Sequence, residues 1–126
     1  MANFGFKYKS FFYSQIMSDT RLELIENMLR KSPKDSFLNY AAALEHKKHG
    51  NNERALELME LLVRHDPDYL GVYYQLGKFY EELNEIKKAM QTYTAGKEVA
   101  RKQNDQKTIG ELTEALMFLD EDADNY

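Results

Sequence analysis

His46 and His49 lie three residues apart, with Glu45 beside them. On a helix that spacing sets both imidazoles on one side, an arrangement geometrically able to hold a divalent metal. His46, however, stands 34 residues before Tyr80 in a packing position, which commits one imidazole to a contact between helices. The third histidine, His65, flanks a turn far along the chain. The reading is therefore that no metal is bound. Glu81 and Glu82 are adjacent, and adjacent side chains diverge around a helix, so they cannot flank one substrate atom. The sequence has no nucleophile elbow, no phosphate-cradling glycine loop and no histidine–carboxylate constellation. Nothing in it supports catalysis or a cofactor, and the chain is read as a non-enzyme.

A different pattern sets the elements that carry these residues. In residues 70–103, LGVYYQLGKFYEELNEIKKAMQTYTAGKEVARKQ, the positions Tyr73, Leu76, Gly77 and Tyr80 fall on one helical face. Ile86, Ala89, Met90, Tyr93 and Lys97 do the same on a second helix, Lys97 leaving the apolar side, and Gly96 follows Tyr93. Gly77 and Ala89 are small enough to let two antiparallel backbones approach, while the aromatic residues and Leu76 fill the space around them. The pattern recurs upstream. Ala55 precedes Ala89 by 34 residues, and at that offset Tyr40 matches Tyr74, Ala43 matches Gly77, Met59 matches Tyr93, and Gly50 takes the turn filled by Asn84. Asn39 and His46 depart from it, standing where Tyr73 and Tyr80 do. Pro67 closes the first copy, whereas Arg101 at the equivalent place lets the second helix run on. Further upstream RLELIENMLRKSPKD aligns with RALELMELLVRHDPD, Glu26 on Glu60 and Pro33 on Pro67.

This order of residues at a period of 34 resembles the tetratricopeptide repeat. The resemblance spans roughly 18–119 and implies an all-α fold, antiparallel helix hairpins stacked as a short right-handed solenoid. Its parts are a half repeat at 18–35, repeats at 36–69 and 70–103, and a capping helix at 105–119. One hairpin cannot bury its own apolar side, so neighbours are required. The resemblance also implies a concave groove lined by the first helix of each repeat. Phe37, Tyr40, Leu44 and Lys48 take groove positions on one repeat, and Tyr74, Lys78 and Glu81 on the next. Exposed aromatics with flanking charges suit peptide recognition. Family members that grip the C-terminal carboxylate of chaperones use lysine and asparagine on this face. Tyr40 and Leu44 stand in those places and Gln75 replaces an asparagine, so such tails are not expected to bind.

Composition bounds the rest. A chain of 126 residues fits one domain. A net charge of −4 argues against nucleic acid as a ligand. No apolar run approaches the roughly 20 residues of a membrane span. The absence of cysteine fits a reducing compartment, and the reading is cytoplasmic. Residues 1–17 carry Phe4, Phe6, Tyr8, Phe11, Phe12 and Tyr13 with Lys7, Lys9 and no acid. Phe4, Tyr8, Phe11, Phe12 and Ile16 share a helical stripe, while Gly5 and Lys9 oppose a packed helix, so the segment reads as disordered or as a degenerate cap helix. Met17-Ser18-Asp19 also reads as a start followed by an N-cap. Residues 120–126 read as an acidic tail. The function expected is a non-catalytic protein-interaction module or scaffold, holding a protein or peptide of unknown identity in the groove. The second reading is a self-assembling structural protein, a homodimer joined through the open ends of the array or the N-terminal aromatic segment.

Overall fold

The computed structural model describes residue 17 and residues 20–123, with no side chains beyond 120. Among them all regular structure is α-helical: α1 over 20–31, α2 Ser36–Lys48, α3 Asn52–His65, α4 Gly71–Glu82, α5 Ile86–Lys102 and α6 Gln106–Ala123. Segment 1–16, expected as a cap helix or a disordered tail, lies outside the described residues, as do 124–126. Contacts divide the chain into two compact units, one up to Ala55 and one from Leu56 onward.

Local chemistry fixes where the chain turns. The Asp35 carboxylate accepts from the Leu38 N–H at 2.9 Å and caps α2, and Asp105 accepts from the Thr108 N–H at 3.0 Å at the start of α6. Three helices hand over to a left-handed residue just past their ends: Gly50 at φ 80°, Asn84 at φ 59° and Asn104 at φ 56°. Glycine and asparagine tolerate that region, and it lets the last N–H groups fold back onto helical carbonyls. The Asn84 N–H donates to the Glu81 carbonyl and the Asn104 N–H to the Arg101 carbonyl.

In the first unit, α1 is tied to α2 by two polar contacts. Arg21 Nε lies 2.9 Å from Glu45 Oε1, and His46 Nε2 lies 2.5 Å from Glu26 Oε1. Leu29, Leu38, Ala42 and Ala43 are buried.

In the second unit α5 packs against both α4 and α6. The α4–α5 seam is a crossed pair of ring-on-glycine contacts. A Cβ placed on Gly77 would sit 2.2 Å from Tyr93 Cε1, and one placed on Gly96 would sit 2.5 Å from Tyr73 Cβ. Each helix therefore supplies one glycine and one ring, and Ala89 and Tyr80 of the same two helices are buried. The sequence reading gave the close approach to Gly77 and Ala89 and set Gly96 after Tyr93 as the next small residue; in the structure Gly96 takes Tyr73 and also receives Leu112 of α6. Gln103 at the end of α5 donates to the Asp68 carbonyl at 2.7 Å and fastens the corner before α4.

One boundary departs clearly from the sequence reading: α6 runs to Ala123, four residues beyond the expected end at 119, and takes in the start of the acidic tail. Within the repeats α3 starts at Asn52, the Ala55 N–H donating to the Asn51 carbonyl at 3.0 Å, α4 at Gly71 and α5 at Ile86. The α4 helix stops at Leu83–Asn84, where asparagine accepts positive φ; no residue within α6 takes that conformation, and the helix runs on.

Candidate functional site

The seven groove candidates fall on two helices, one in each unit. On α2, Phe37 is 66% exposed, Tyr40 and Leu44 are half-buried, and Lys48 is exposed. Their spacing of three, four and four residues makes them one stripe along the helix. On α4, Tyr74, Lys78 and Glu81 are half-buried and close together. Lys78 Nζ lies 5.6 Å from the Tyr74 ring centroid and 3.9 Å from Glu81 Oε2. The Tyr74 ring is tilted 45° against Tyr93, with centroids 6.1 Å apart. Glu81 also accepts the Tyr93 hydroxyl, so one of its oxygens is committed to the core.

His46 and His49 each face a carboxylate. The Asn51 amide donates to His46 Nδ1 at 3.2 Å, which leaves the ring proton on Nε2, and Nε2 donates it to Glu26. His49 Nε2 faces a different carboxylate, Glu45, at 3.8 Å, and that carboxylate already meets Arg21. Among the described residues no group of three or more His, Cys, Asp or Glu is placed to hold a metal ion. No helix among them is long and apolar enough to cross a membrane.

Three buried tyrosines each find an acceptor. The Tyr73 hydroxyl donates to the Pro67 carbonyl at 2.5 Å, Tyr80 to Glu60 Oε1 at 2.8 Å, and Tyr93 to Glu81. Burial pushes all three phenols above their ordinary value, Tyr80 and Tyr93 the furthest. The nearby carboxylates add to it: Asp68 and Asp66 at Tyr73, Glu60 at Tyr80, and Glu81 at Tyr93. These are core residues, as their packing positions predict.

The family model for the tetratricopeptide repeat matches residues 47–109. A tetratricopeptide repeat domain protein from Salinibacter ruber, known from a crystal structure, is 50% identical over 68% of this chain and 96% of its own, with a TM-score of 0.65. The chain belongs to the tetratricopeptide repeat family. The fold is shared with more distant tetratricopeptide repeat domains. The TPR2B domain of yeast Sti1, in complex with pHsp70, has a TM-score of 0.75 at 14% identity over 87% of this chain and 88% of that one. The Sgt2 domain from Aspergillus fumigatus has a TM-score of 0.72 at 20% identity over 90% and 74%. No curated protein sequence matches the chain significantly.

Seen as tetratricopeptide repeats, the two departures at Asn39 and His46 keep the hydrogen bonds of the residues they replace. Tyr73 donates to Pro67 six residues back, and Asn39 Nδ2 donates to Pro33 six residues back at 3.0 Å. Tyr80 donates to Glu60 twenty residues back, and His46 to Glu26 twenty residues back. Donor and acceptor both shift by the repeat length. Asn39 is 6% exposed, and its amide reaches the Asp35 carbonyl as well, at 2.8 Å. Asn39→Ala strands the Pro33 carbonyl and is expected to cost about 1–2 kcal/mol. Urea denaturation checks it, with the slope unchanged and the midpoint lowered.

One feature of the second unit gave no sequence signal. An open cleft of about 380 Å³ is lined by Glu60, Arg64, Leu76, Tyr80 and Lys88. Lys88 Nζ lies 5.7 Å from the Tyr80 ring centroid. Its walls come from three separate helices, so no spacing along the chain announces it.

Proposed function

We propose that this tetratricopeptide repeat chain is a non-catalytic protein-interaction module that takes a peptide or a helix of a partner on the first-helix faces of its repeats. The observation that carries the reading is the α2 stripe. Phe37 stands 66% exposed at its head, followed by half-buried Tyr40 and Leu44 and exposed Lys48. An exposed aromatic costs a monomer solubility and supplies a binding partner with large rigid area at small entropic loss. The α4 cluster of Tyr74, Lys78 and Glu81 offers the same combination, an aromatic face with one charge of each sign beside it. The fold shared with a Sti1 domain solved in complex with pHsp70 supports a protein ligand as the class.

The test is an affinity pull-down from the source cell, repeated with Phe37→Ala, Tyr40→Ala and Tyr74→Ala combined. Each side chain is at least partly exposed, so the variant is expected to stay folded by circular dichroism. Captured partner is expected to fall at least about tenfold. Unchanged capture by a folded variant assigns binding elsewhere.

A further inference from the structure

The open cleft of the second unit gathers two cations around one ring. Its floor is apolar: Leu76 and Tyr80 of α4 are buried, and Val63 of α3 is half-buried beside them. Residues two apart are turned by about 200° around a helix, so this floor lies on the side of α4 away from Tyr74 and Lys78. Lys88 enters from α5, its Nζ 5.7 Å from the Tyr80 ring centroid. Arg64 enters from α3. Burial and Glu60 raise the Tyr80 phenol, and Arg64 is near enough for its charge to oppose them. Both cations are exposed, and neither is held by an ion pair among the described residues. Glu60 is the one carboxylate in the lining, and its Oε1 already accepts the Tyr80 hydroxyl at 2.8 Å. The Thr92 hydroxyl donates to the Lys88 main-chain carbonyl at 2.8 Å, so the donors left for a ligand are the two cations.

We propose that this cleft binds an acidic segment of a partner protein, with a glutamate side chain of the segment between Arg64 and Lys88 and the aliphatic residue beside it on Val63 and Leu76. Charge selects this occupant. The lining carries two cations and one carboxylate, so a single added carboxylate balances it. A phosphate dianion would overshoot that balance, and a basic segment would meet two like charges. Arg64 offers a planar fork that can take a carboxylate through two parallel N–H···O bonds. The apolar floor favours a peptide over a free small acid, because it gives the neighbouring side chain apolar surface to cover. The volume of about 380 Å³ falls in the range of roughly 300–1,000 Å³ usual for ligand clefts. This contact is separate from the α2 stripe and the Tyr74 cluster and stands or falls without them.

NMR titration of the isotope-labelled full chain with an end-capped pentapeptide, alanine-leucine-glutamate-leucine-alanine, tests it. Saturable shift changes are expected at the Val63, Arg64, Tyr80 and Lys88 amides. Arg64→Gln/Lys88→Gln changes two exposed side chains, so thermal melting is expected to be retained while binding weakens at least about fivefold. Glutamine in place of the peptide glutamate is expected to weaken binding as much. Glu60→Gln keeps an oxygen for the Tyr80 hydroxyl and removes the competing charge, so binding is expected to tighten at least about twofold. Phe37→Ala/Tyr40→Ala/Tyr74→Ala is expected to leave it unchanged. Absence of saturable shifts at those four amides overturns the proposal, as does undiminished binding by the folded Arg64→Gln/Lys88→Gln variant. Equal binding of the glutamine peptide overturns the carboxylate, and failure of Glu60→Gln to tighten binding overturns the charge balance. Inorganic phosphate binding there more tightly than the peptide overturns the choice of occupant. Loss of binding in the Phe37→Ala/Tyr40→Ala/Tyr74→Ala variant assigns the peptide to the first-helix faces instead and overturns the cleft as its site.

Discussion

Gly96→Ala is expected to lower the stability of the fold by roughly 2–3 kcal/mol, even though alanine is the better helix former. The added Cβ would lie 2.5 Å from Tyr73 Cβ and 2.9 Å from Tyr73 Cγ. Those atoms sit next to the α4 backbone and cannot swing aside, so α4 and α5 must move apart. Separation would loosen the neighbouring contact of Tyr93 on Gly77, because both belong to one seam. At Gly110 the sign reverses. Nothing lies within 4 Å of a Cβ there, and Gly110→Ala is expected to raise stability by about 1 kcal/mol under conditions where the chain is monomeric. Urea midpoints of the two variants, compared at constant slope, check both numbers. Equal stability of Gly96→Ala and wild type would show that the seam is not closely packed.

The second large effect is alkaline. Tyr73, Tyr80 and Tyr93 are buried, with phenols raised above the ordinary 10.0 chiefly by burial and further by carboxylate neighbours. The folded state therefore holds these protons more tightly than the unfolded chain does. Their contribution is fully present below pH about 10 and is lost as pH rises beyond it. Above that point Tyr80 and Tyr93 together are expected to remove roughly 3 kcal/mol for each pH unit, so the protein unfolds over a narrow alkaline interval. Denaturation curves taken at rising pH measure the slope, and Tyr80→Phe/Tyr93→Phe is expected to flatten it. A slope the same in the double variant would mean that other groups drive the transition.

The hairpin of α4 and α5 was legible in the sequence because close helix packing admits few residue types. Tyr73, Gly77, Tyr80, Ala89, Tyr93 and Gly96 can alternate in size in one register only, and the structure has that register. The helix-stopping residues Gly50 and Asn84 were legible for a similar reason, since left-handed backbone narrows the choice. The end of α6 was not. Acidic residues at a helix C-terminus are unfavourable to its dipole but do not break it, and Asp120 read as a tail although Leu119 before it is buried. Asn39 and His46 looked like lost aromatics, because an alignment shows that a ring is gone and not what the new side chain touches. The signal that could have found their role was present, in Pro33 aligned with Pro67 and Glu26 with Glu60. The candidate faces on α2 and α4 were legible as stripes. That Glu81 shares itself with Tyr93 was not, since a carboxylate on a helix surface has the same spacing whether it faces water or a hydroxyl.

Glu26 and Glu60 hold the same place in successive repeats, while the groups that approach them, His46 and Tyr80, are chemically unalike. The carboxylate behaves as a fixed receptacle and the residue that plugs it is interchangeable. The two ends of such a contact therefore differ in tolerance: an imidazole and a phenol, unlike in size and charge, both reach the same half-buried acid.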